Sequence, residues 1–418
     1  MKEKTYGLIG RVLKHSFSVP IHKALGCENY RLIELEPEML EGFFENEDIG
    51  GLNVTIPYKK DVIKYCDEID DAAKLVGSIN TIVKVKDACG KDMLKGYNTD
   101  VYGLSYAAKR AGIEIAGKKV LVFGSGGASL AAVSLCKMEN AGECIVISRS
   151  GENNYDNLEK HFDADVLINA TPLGMYPNTG EMAADPGLFR SLTGVIDMVY
   201  NPSRTAFLIR AEELGIPHVD GLPMLVAQAA RAEEIFTGKE IPESETEKII
   251  GEIRSETLNI VIIGMPGSGK STISEELAKL TGRKLVDLDG EIVKSEGRSI
   301  EDIFATDGEE EFRRLERNAV AAFGKESGLI ISCGGGTIKD IRNYAPLHQN
   351  GRIYHIERNI ELLARNGRPL SKDADLSKMY EERLPMYKKF RDKVIMNDRS
   401  KKEAAEEIWR DFNENTRY

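Results

Sequence analysis

Short apolar runs alternate with helix-length polar segments through the first hundred residues of the chain. Strands are predicted at residues 6–10, 30–35, 50–57 and 80–85, where the sequence reads YGLIG, YRLIEL, GGLNVTIP and NTIVKV. This spacing is typical of βαβ units, which build a mostly parallel sheet. The hydrophobic pattern therefore predicts an α/β fold from the first element onward.

The same alternation begins again at Lys118. The run KKVLVFGSGGASLAAVSLCKM predicts a buried strand, a glycine-rich turn and a helix rich in Ala and Leu. Further strands are predicted within residues 143–150, 165–174 and 193–200. These strands indicate a second α/β unit that follows the first directly.

A charged segment at residues 241–257 interrupts the alternation. It follows a predicted helix that runs from Gly221 to Gly238, contains no aromatic residue and lacks strand character, so it is either a linker or an exposed helix. From Leu258 the order strand, glycine turn, helix starts once more in LNIVIIGMPGSGKSTISEELAKL. We therefore place the main domain boundary in this segment, with a third α/β unit after it.

Composition and charge narrow the function classes. The chain has 418 residues, enough for two or three domains. It carries 56 Lys and Arg against 67 Asp and Glu, a net charge of −11, which disfavours a nucleic-acid partner because such proteins carry clustered basic residues. Six scattered cysteines without a C-x-x-C pair argue against disulfides and a metal site, and no 18-residue apolar run occurs. We expect a soluble, cytoplasmic protein with small-molecule partners and no membrane contact.

The turn at residues 264–271 carries a specific motif. GMPGSGKS matches the P-loop pattern G-x-x-x-x-G-K-[ST] between an apolar strand and a helix. Glycines let backbone N–H groups converge on phosphate oxygens, Lys270 adds a positive charge, and the Ser271 hydroxyl suits Mg²⁺. The residues assigned to the nucleotide are Gly267, Ser268, Gly269, Lys270, Ser271 and Thr272.

Three further segments narrow the chemistry of the P-loop unit. Asp287 suits the water shell of Mg²⁺ and Asp289 suits a substrate hydroxyl, although short D-x-D segments also serve as helix caps or turns. Arg313 lies on a predicted helix in EEEFRRLE, whose alternative role is a solvated charged face. Three glycines at 334–336 follow a buried strand, where the backbone can approach a ligand closely.

Residues 258–418 resemble shikimate kinase over nearly their whole length. The shared segments are GMPGSGKST, DLD, GRSIEDIFATDGEEEFRRLE, CGGGT, GRPL and EERLPMY. The resemblance implies that Arg313 and Arg383 bind the shikimate carboxylate, with the Gly335 amide nearby. It also implies that Asp289 accepts the proton of the attacking hydroxyl, while Arg368 on the lid contacts ATP and stabilises the transferred phosphoryl group.

The earlier glycine-rich turn predicts a dinucleotide site. Residues 124–129 read GSGGAS between a strand and a helix, which is a weaker signal than the P-loop because it is not a full G-x-G-x-x-G. The next strand ends in Ser148, Arg149 and Ser150, where an NAD site carries an acidic residue for the ribose. A guanidinium and two hydroxyls suit a 2′-phosphate, so NADP is favoured; the alternative is an exposed arginine at a sheet edge. The turn residues assigned to NADP are Gly124, Ser125, Gly126, Gly127 and Ala128.

Residues 1–240 resemble shikimate dehydrogenase. The segments that carry this resemblance are KHSFSVPIH, NVTIPYK, GSINT, GYNTD, GSGGAS, INATPLGM, DMVYNP and DGLPMLVAQ. It implies a catalytic pair of Lys59 and Asp100, whereas the pattern alone favours a surface role for Lys59. It further implies two sets of contacts: substrate at Ser16, Ser18, Thr55, Asn80, Asp100 and Gln228, and cofactor at Thr171, Met198, Gly221 and Met224.

Together the two resemblances predict a bifunctional enzyme of aromatic amino acid biosynthesis. The N-terminal part is a two-lobed α/β dehydrogenase, with a substrate-binding lobe at 1–105 completed by 221–240 and a Rossmann-like NADP lobe at 106–220. After the linker at 241–257, a P-loop kinase with a parallel sheet flanked by helices occupies 258–418. The expected reactions are NADPH-dependent reduction of 3-dehydroshikimate and ATP/Mg²⁺-dependent phosphorylation of the shikimate formed. A homodimer is kept open as its assembly.

Three alternatives stay open at this point. The dehydrogenase could prefer quinate or NAD. The P-loop unit could phosphorylate another acid sugar or a nucleoside monophosphate. It could also be a non-catalytic nucleotide sensor fused to a quinate/shikimate dehydrogenase, although a sensor has no use for Asp289, Arg313 and Arg383.

Overall fold

The computed structural model describes residues 4–13, 16–359 and 376–416. The chain divides into two compact units. The first unit comprises residues 1–200 and 207–250, and the second comprises residues 201–206 and 251–418. Each unit is an α/β structure, as the hydrophobic pattern predicts.

The N-terminal part of the first unit forms a six-stranded sheet in the order β2-β1-β3-β5-β6-β4. Its strands are β1 (Thr5–Gly10), β2 (Arg31–Glu34), β3 (Ile49–Val54), β4 (Glu68–Ile69), β5 (Thr81–Lys86) and β6 (Asp92–Tyr97). Its helices are α1 (Ser18–Ala24), α2 (Leu40–Asn46), α3 (Asp71–Val76) and α4 (Asp100–Arg110). The four strands predicted from apolar runs correspond to β1, β2, β3 and β5.

Three of the five strand pairings in this sheet are parallel, as the pattern predicts, but β5 runs against its neighbours. β5 pairs antiparallel with both β3 and β6. A tight turn joins β5 to β6, in which the Asp87 carboxylate accepts the N–H groups of Cys89 and Lys91. The segment 92–97 was not predicted as a strand because it is half-buried and mixes polar with apolar residues. The sheet is therefore mixed, with its parallel core at β2-β1-β3.

The rest of the first unit is built on a five-stranded parallel sheet in the order β11-β10-β9-β7-β8. Its strands are β7 (Lys119–Phe123), β8 (Glu143–Ile147), β9 (Val166–Asn169), β10 (Gly194–Asp197) and β11 (His218–Val219). The helices are α5 (Gly127–Met138), α6 (Ala206–Glu213) and α7 (Gly221–Thr237). Both faces of the sheet are covered, which explains the unbroken apolar run in β7.

The second unit contains a five-stranded parallel sheet in the order β13-β14-β12-β15-β16. Its strands are β12 (Asn259–Gly264), β13 (Leu285–Asp287), β14 (Ile330–Ser332), β15 (Gly351–Glu357) and β16 (Lys393–Met396). The helices are α9 (Lys270–Thr281), α10 (Leu288–Glu296), α11 (Ile300–Thr306), α12 (Gly308–Gly324), α13 (Tyr344–His348), α14 (Leu376–Phe390) and α15 (Lys401–Thr416). Two apolar layers enclose this sheet, so the P-loop follows its fully buried central strand.

Two predicted boundaries differ from the observed elements. The lobe boundary at 105/106 falls inside helix α4, because the apolar positions of that helix continue to Ala108. The segment 241–257 contains a 15-residue helix, α8 (Glu243–Thr257), rather than an extended linker. Neither is this helix simply exposed: Ile249 and Ile250 are buried, and Glu247 accepts hydrogen bonds from Tyr106 and Arg110 on α4.

Hydropathy adds one finding. Within residues 4–13, 16–359 and 376–416, no helix combines the length and the apolar character needed to cross a membrane.

Two candidate active sites

A cavity of about 470 Å³ in the first unit collects the substrate residues predicted there. It lies between β1, the loop after β3, the start of α4 and one face of α7. Every residue assigned to the substrate lines it: Ser16, Ser18, Thr55, Asn80, Asp100 and Gln228, together with Lys59. These residues are far apart in sequence, so the fold brings them together.

Lys59 and Asp100 form an ion pair in this cavity. Lys59 Nζ donates to Asp100 Oδ2 at 2.6 Å, and the two side chains are 24% and 8% exposed. Lys59 is therefore not the solvated surface charge that its local pattern favours. A charge-assisted contact in a half-buried site is stronger than an exposed one, because solvent screens it less.

Asn80 fixes the second oxygen of this carboxylate. Its Nδ2 donates to Asp100 Oδ1 at 2.9 Å, and its Oδ1 accepts the Thr99 N–H at 2.7 Å. Asp100 is the first residue of α4, where the unpaired amides of a helix N-terminus favour a negative charge. Asn80 and the start of α4 therefore hold the carboxylate, which in turn orients the Lys59 ammonium.

Hydroxyl groups gather on another wall of the cavity. Ser16 Oγ donates to Ser18 Oγ at 2.9 Å and accepts the Ser18 N–H at 3.1 Å, at the start of α1. Adjacent hydroxyls can both donate to a carboxylate.

Tyr200 and His22 also line the cavity, although neither was assigned from the sequence. Tyr200 stands directly after DMV in a predicted strand, and His22 reads as a helix residue, so only the tertiary fold reveals them.

The first glycine turn, residues 124–129, lies at the carboxyl end of β7. Gly124 has φ +105°, and a Cβ there would lie 2.9 Å from Thr171 Cγ2 and 3.0 Å from the Ala170 carbonyl oxygen. A Cβ at Gly126 or Gly127 would meet no atom within 4 Å. The turn is therefore closed at its base and open where α5 begins, which fits a phosphate group at the helix N-terminus.

The other residues assigned to NADP follow neighbouring strands. Thr171 comes after β9, where its N–H and hydroxyl donate to Asn169 Oδ1. Met198 follows β10, and a side chain at Gly221 would overlap its carbonyl oxygen. Arg149 is exposed in the turn after β8. Dinucleotides bind at this edge of parallel sheets, so these residues are placed as such a site requires. The remaining members of the assigned set are half-buried or exposed around the same edge: Ser125, Ala128, Ser148, Ser150 and Met224.

The P-loop in the second unit is tightly enclosed. Gly264, Gly267 and Gly269 all have positive φ, at +155°, +87° and +98°. Lys270 begins α9, and its Nζ donates to the carbonyl oxygens of Gly264 and Met265 at 2.9 and 3.1 Å. Ser271 and Thr272 are exposed beside it at the helix N-terminus. Backbone amides, a cation and a hydroxyl therefore converge as phosphate and Mg²⁺ binding require.

Asp287 and Asp289 take different positions. Asp287 caps α10 by accepting the Asp289 N–H at 3.2 Å, so the capping alternative applies to it, while its side chain also remains exposed. Asp289 is more buried. Burial, followed by repulsion from Asp287 and Glu316, raises the pKa of Asp289 to about 6. A carboxylate with such a pKa can accept a proton near neutral pH.

Each of the three consecutive glycines after β14 lies against a different group of the site. A Cβ at Gly334 would lie 2.6 Å from Asp289 Oδ1, and one at Gly335 would lie 2.8 Å from Pro266 of the P-loop. A Cβ at Gly336 would lie 2.5 Å from Arg313 Nη2. Side chains at these positions would displace the P-loop, Asp289 or Arg313, which is the physical reason for CGGG.

Two arginines complete the described part of this site. Arg313 Nη1 donates to the buried Glu316 Oε2 at 2.7 Å, and Arg383 Nη1 donates to the Gly335 carbonyl oxygen at 2.8 Å. Arg313 is therefore half-buried and held in place rather than part of a solvated face. Arg368 lies outside the described residues. Glu316 was not assigned from the sequence, because a glutamate in EEEFRRLE has no distinguishing local signal.

Comparison with known proteins decides the family. A family model described as shikimate dehydrogenase substrate binding domain matches residues 8–82, and one described as shikimate 5′-dehydrogenase C-terminal domain matches residues 221–250. The chain is 36% identical over 272 residues to a shikimate dehydrogenase (NADP(+)) of Clostridium perfringens, covering 60% of this chain and 98% of that protein. The chain belongs to the shikimate dehydrogenase family. This confirms the resemblance of the N-terminal part.

Solved structures agree with this family. A chorismate mutase/shikimate 5-dehydrogenase fusion protein from Clostridium acetobutylicum matches with a TM-score of 0.54 and 37% identity, covering 60% of this chain and 96% of that one. Shikimate 5-dehydrogenase from Thermus thermophilus, in complex with NADP(H) and shikimate, matches with a TM-score of 0.52 and 29% identity, covering 59% and 98%. The first unit thus has the fold of these dehydrogenases.

The second unit belongs to another family. A model described as shikimate kinase matches residues 266–413, which span the P-loop, Asp289, Arg313 and Arg383. This shikimate kinase domain follows the dehydrogenase in the same chain, so the protein is a bifunctional enzyme of the shikimate pathway. We call the two units the dehydrogenase unit and the kinase unit below.

Proposed function

We propose that the dehydrogenase unit reduces 3-dehydroshikimate to shikimate with NADPH, and that the kinase unit phosphorylates shikimate with ATP and Mg²⁺. The observation that carries the first half is the Lys59–Asp100 ion pair inside a cavity lined by hydroxyl and amide groups. The second half is supported by Asp289, Arg313 and the P-loop, which meet at three consecutive glycines.

In the dehydrogenase unit, NADPH held at the first glycine turn would supply a hydride to the carbonyl carbon of the substrate. The carbonyl oxygen then gains negative charge, and the Lys59 ammonium donates a proton to it, which leaves a hydroxyl on the product. Asp100 positions the ammonium in the cavity, with 2.6 Å between Lys59 Nζ and Asp100 Oδ2. Asn80 in turn holds Asp100 by donating to its Oδ1. Ser16 and Ser18 receive the substrate carboxylate, and Thr55 and Gln228, which line the same cavity, contact other parts of the substrate.

Residues around the first glycine turn favour NADP over NAD. Arg149 is exposed in the turn after β8, flanked by the hydroxyls of Ser148 and Ser150. A planar guanidinium pairs well with a phosphate and has no comparable partner on a free ribose hydroxyl. The names of the Clostridium perfringens relative and the Thermus thermophilus complex support the same choice.

In the kinase unit, Asp289 accepts the proton of the attacking shikimate hydroxyl while the hydroxyl oxygen bonds to the γ-phosphorus of ATP. The bond from the γ-phosphorus to the bridging oxygen breaks, and ADP leaves with that oxygen. Lys270 neutralises charge on the phosphates, and a Mg²⁺ ion held by Ser271 and Asp287 would neutralise more of it. The donor set fits that ion, since a hydroxyl at Ser271 and a carboxylate at Asp287 both lie exposed beside the P-loop. Arg313 and Arg383 bind the substrate carboxylate near Gly335, and Arg368 stabilises the transferred group.

The domain boundaries and the assembly remain proposals. We propose residues 1–105 with 221–240 as the substrate lobe and 106–220 as the NADP lobe, so that helix α4 is shared between the two lobes. Residues 258–418 form the proposed kinase domain, and helix α8 lies in the segment before it. Sedimentation would test whether the chain forms a homodimer, and fractionation would test its cytoplasmic location.

Two variants test the proposal in one reaction mixture of 3-dehydroshikimate, NADPH, ATP and Mg²⁺. Lys59→Ala lowers the rate of NADPH oxidation about 100-fold or more, because the proton donor is lost, while added shikimate is still phosphorylated. Lys270→Ala stops the reaction at shikimate. Lys60→Ala is the matched control, since Lys60 is the next lysine in the chain and does not line the cavity. Full ketone reduction by Lys59→Ala would contradict the assignment.

A further inference from the structure

Asn397 lies beside the P-loop, at the end of the edge strand β16. Its backbone N–H donates to the Glu357 carbonyl oxygen at 2.7 Å, directly after the pairing of Met396 with Glu357. The residue is 9% exposed. Its backbone is therefore fixed by the sheet, and its side chain is positioned by the fold rather than by a loop.

The side chain of Asn397 contacts the P-loop backbone. Its Nδ2 donates to the Ser268 carbonyl oxygen at 2.6 Å, and the bond is buried. A Cβ at Gly269 would overlap the same Nδ2. The amide of Asn397 can therefore reach the loop only because residue 269 is glycine, which also adopts the left-handed φ of +98° found there.

The hydrogen bond controls more than one atom. Ser268 C=O and Gly269 N–H belong to the same planar trans peptide, so they point in opposite directions. Holding the carbonyl toward Asn397 directs the Gly269 N–H away from it. If the peptide flipped, a carbonyl oxygen would replace this N–H and repel a phosphate.

We propose that Asn397 is a positioning residue for ATP, which keeps the Gly269 N–H directed at the nucleotide phosphates by holding the Ser268 carbonyl. The inference rests on the proposed binding of ATP at the P-loop. It adds a residue outside the motif to the groups that shape the phosphate site. Asn397 lies 126 positions after Ser271, the last residue of the motif.

The test compares Asn397→Ala and Asn397→Asp with the intact chain. Aspartate keeps the shape of asparagine but presents a second oxygen to the carbonyl. Asn415→Ala is the control, because Asn415 lies on α15 and its Nδ2 donates to the Asp411 carbonyl oxygen within that helix. The readouts are KM for ATP, KM for shikimate, affinity for fluorescently labelled ADP, thermal unfolding and NADPH oxidation by the dehydrogenase unit.

The expected result is a split between the two substrates. Asn397→Ala raises KM for ATP and weakens ADP binding about tenfold, the size of one lost buried hydrogen bond, while KM for shikimate changes by less than about twofold. Asn397→Asp binds ATP and ADP more weakly still, because its carboxylate oxygen repels the Ser268 carbonyl oxygen. Both variants oxidise NADPH at the normal rate. Asn415→Ala matches the intact chain.

Three results would overturn the inference. They are an unchanged KM for ATP in both variants, equal increases in both KM values, and a lowered unfolding temperature without any loss of ADP affinity. If the intact chain bound no ADP at all, the proposed function of the P-loop would itself fail, which separates that failure from the failure of Asn397.

Discussion

The two glycine turns of this chain follow buried strands and precede helices, yet their surroundings differ. The protein around the P-loop determines the shape of the loop. A Cβ at Gly264 would lie 2.5 Å from the Ile356 carbonyl oxygen, and Lys270 donates to carbonyl oxygens of the loop. In the first glycine turn, residues 125–128 are exposed, and a Cβ at Gly126 or Gly127 would meet nothing within 4 Å.

This difference explains why the two motifs differ in specificity. A loop that surrounds a phosphate needs defined residues at nearly every position, so its sequence alone indicates the ligand. An open turn offers a helix N-terminus and little else, so we expect its ligand to be selected by residues elsewhere, such as Arg149 after β8 and Thr171 after β9. The following predictions test that contrast, beginning with the largest expected effect.

Gly269→Ala should reduce phosphorylation of shikimate about 100-fold or more, because the added methyl group meets Asn397 and an alanine is strained at φ +98°. Initial rates of ADP formation measure the effect. The control is NADPH oxidation by the same preparation, which should be unchanged. A normal rate of phosphorylation would show that the P-loop tolerates a side chain at position 269 despite its close surroundings.

The rate of shikimate phosphorylation should depend on pH through Asp289. The raised pKa of Asp289, about 6, means that its carboxylate form predominates above pH 6 and is lost as the pH falls through that value. Phosphorylation measured as kcat/KM for shikimate should therefore fall about tenfold for each pH unit below 6. Asp289→Asn should abolish this pH dependence together with most of the activity. If the remaining activity of that variant still fell below pH 6, the pH dependence would belong to another group.

Arg149→Ala should raise KM for NADPH about tenfold, since one charge-assisted contact to the 2′-phosphate is lost. The KM for NADH should stay the same, because its ribose carries no phosphate. Titration of both cofactors against a fixed concentration of 3-dehydroshikimate gives the comparison. Equal changes for the two cofactors would return Arg149 to the role of an exposed arginine at the sheet edge.

Gly126→Ala should have the smallest effect on the protein itself. Its φ of −85° suits any residue and the space around it is open, so the unfolding temperature should change by less than about 1 °C. Gly269→Ala should lower that of the kinase unit by about 3–8 °C. Differential scanning calorimetry on both variants would settle this pair, and equal shifts would contradict the contrast between the two turns.

Local sequence predicted many of the strands and both glycine turns, since buried parallel strands read as apolar runs and the P-loop is a contiguous motif. It did not predict β4, β6, β11, β15 and β16, of which β6 is a half-buried strand without clear alternation. For residues 241–257 it left a linker or an exposed helix open, where α8 buries Ile249 and Ile250 among charged residues. These errors arise where burial depends on a partner element that is distant in sequence.

The candidate sites show the same division. Lys270, Asp289 and Arg313 stand in recognisable segments, whereas Tyr200, Glu316 and Asn397 reach their sites only through tertiary packing. For Lys59 the local pattern favoured a solvated surface position, and only the resemblance to a family indicated a catalytic role. The ion pair with Asp100 joins residues that are 41 positions apart, a contact that no local pattern contains.

The central claim is that one chain carries out both reactions in sequence. Its most direct test is to incubate the intact chain with 3-dehydroshikimate, NADPH, ATP and Mg²⁺, and to follow NADP⁺, ADP and the acid products by mass spectrometry. We predict shikimate 3-phosphate as the end product, with one NADPH oxidised and one ADP formed for each molecule. Accumulation of shikimate without ADP, even if ATP altered the rate of NADPH oxidation, would contradict the account and favour a nucleotide sensor.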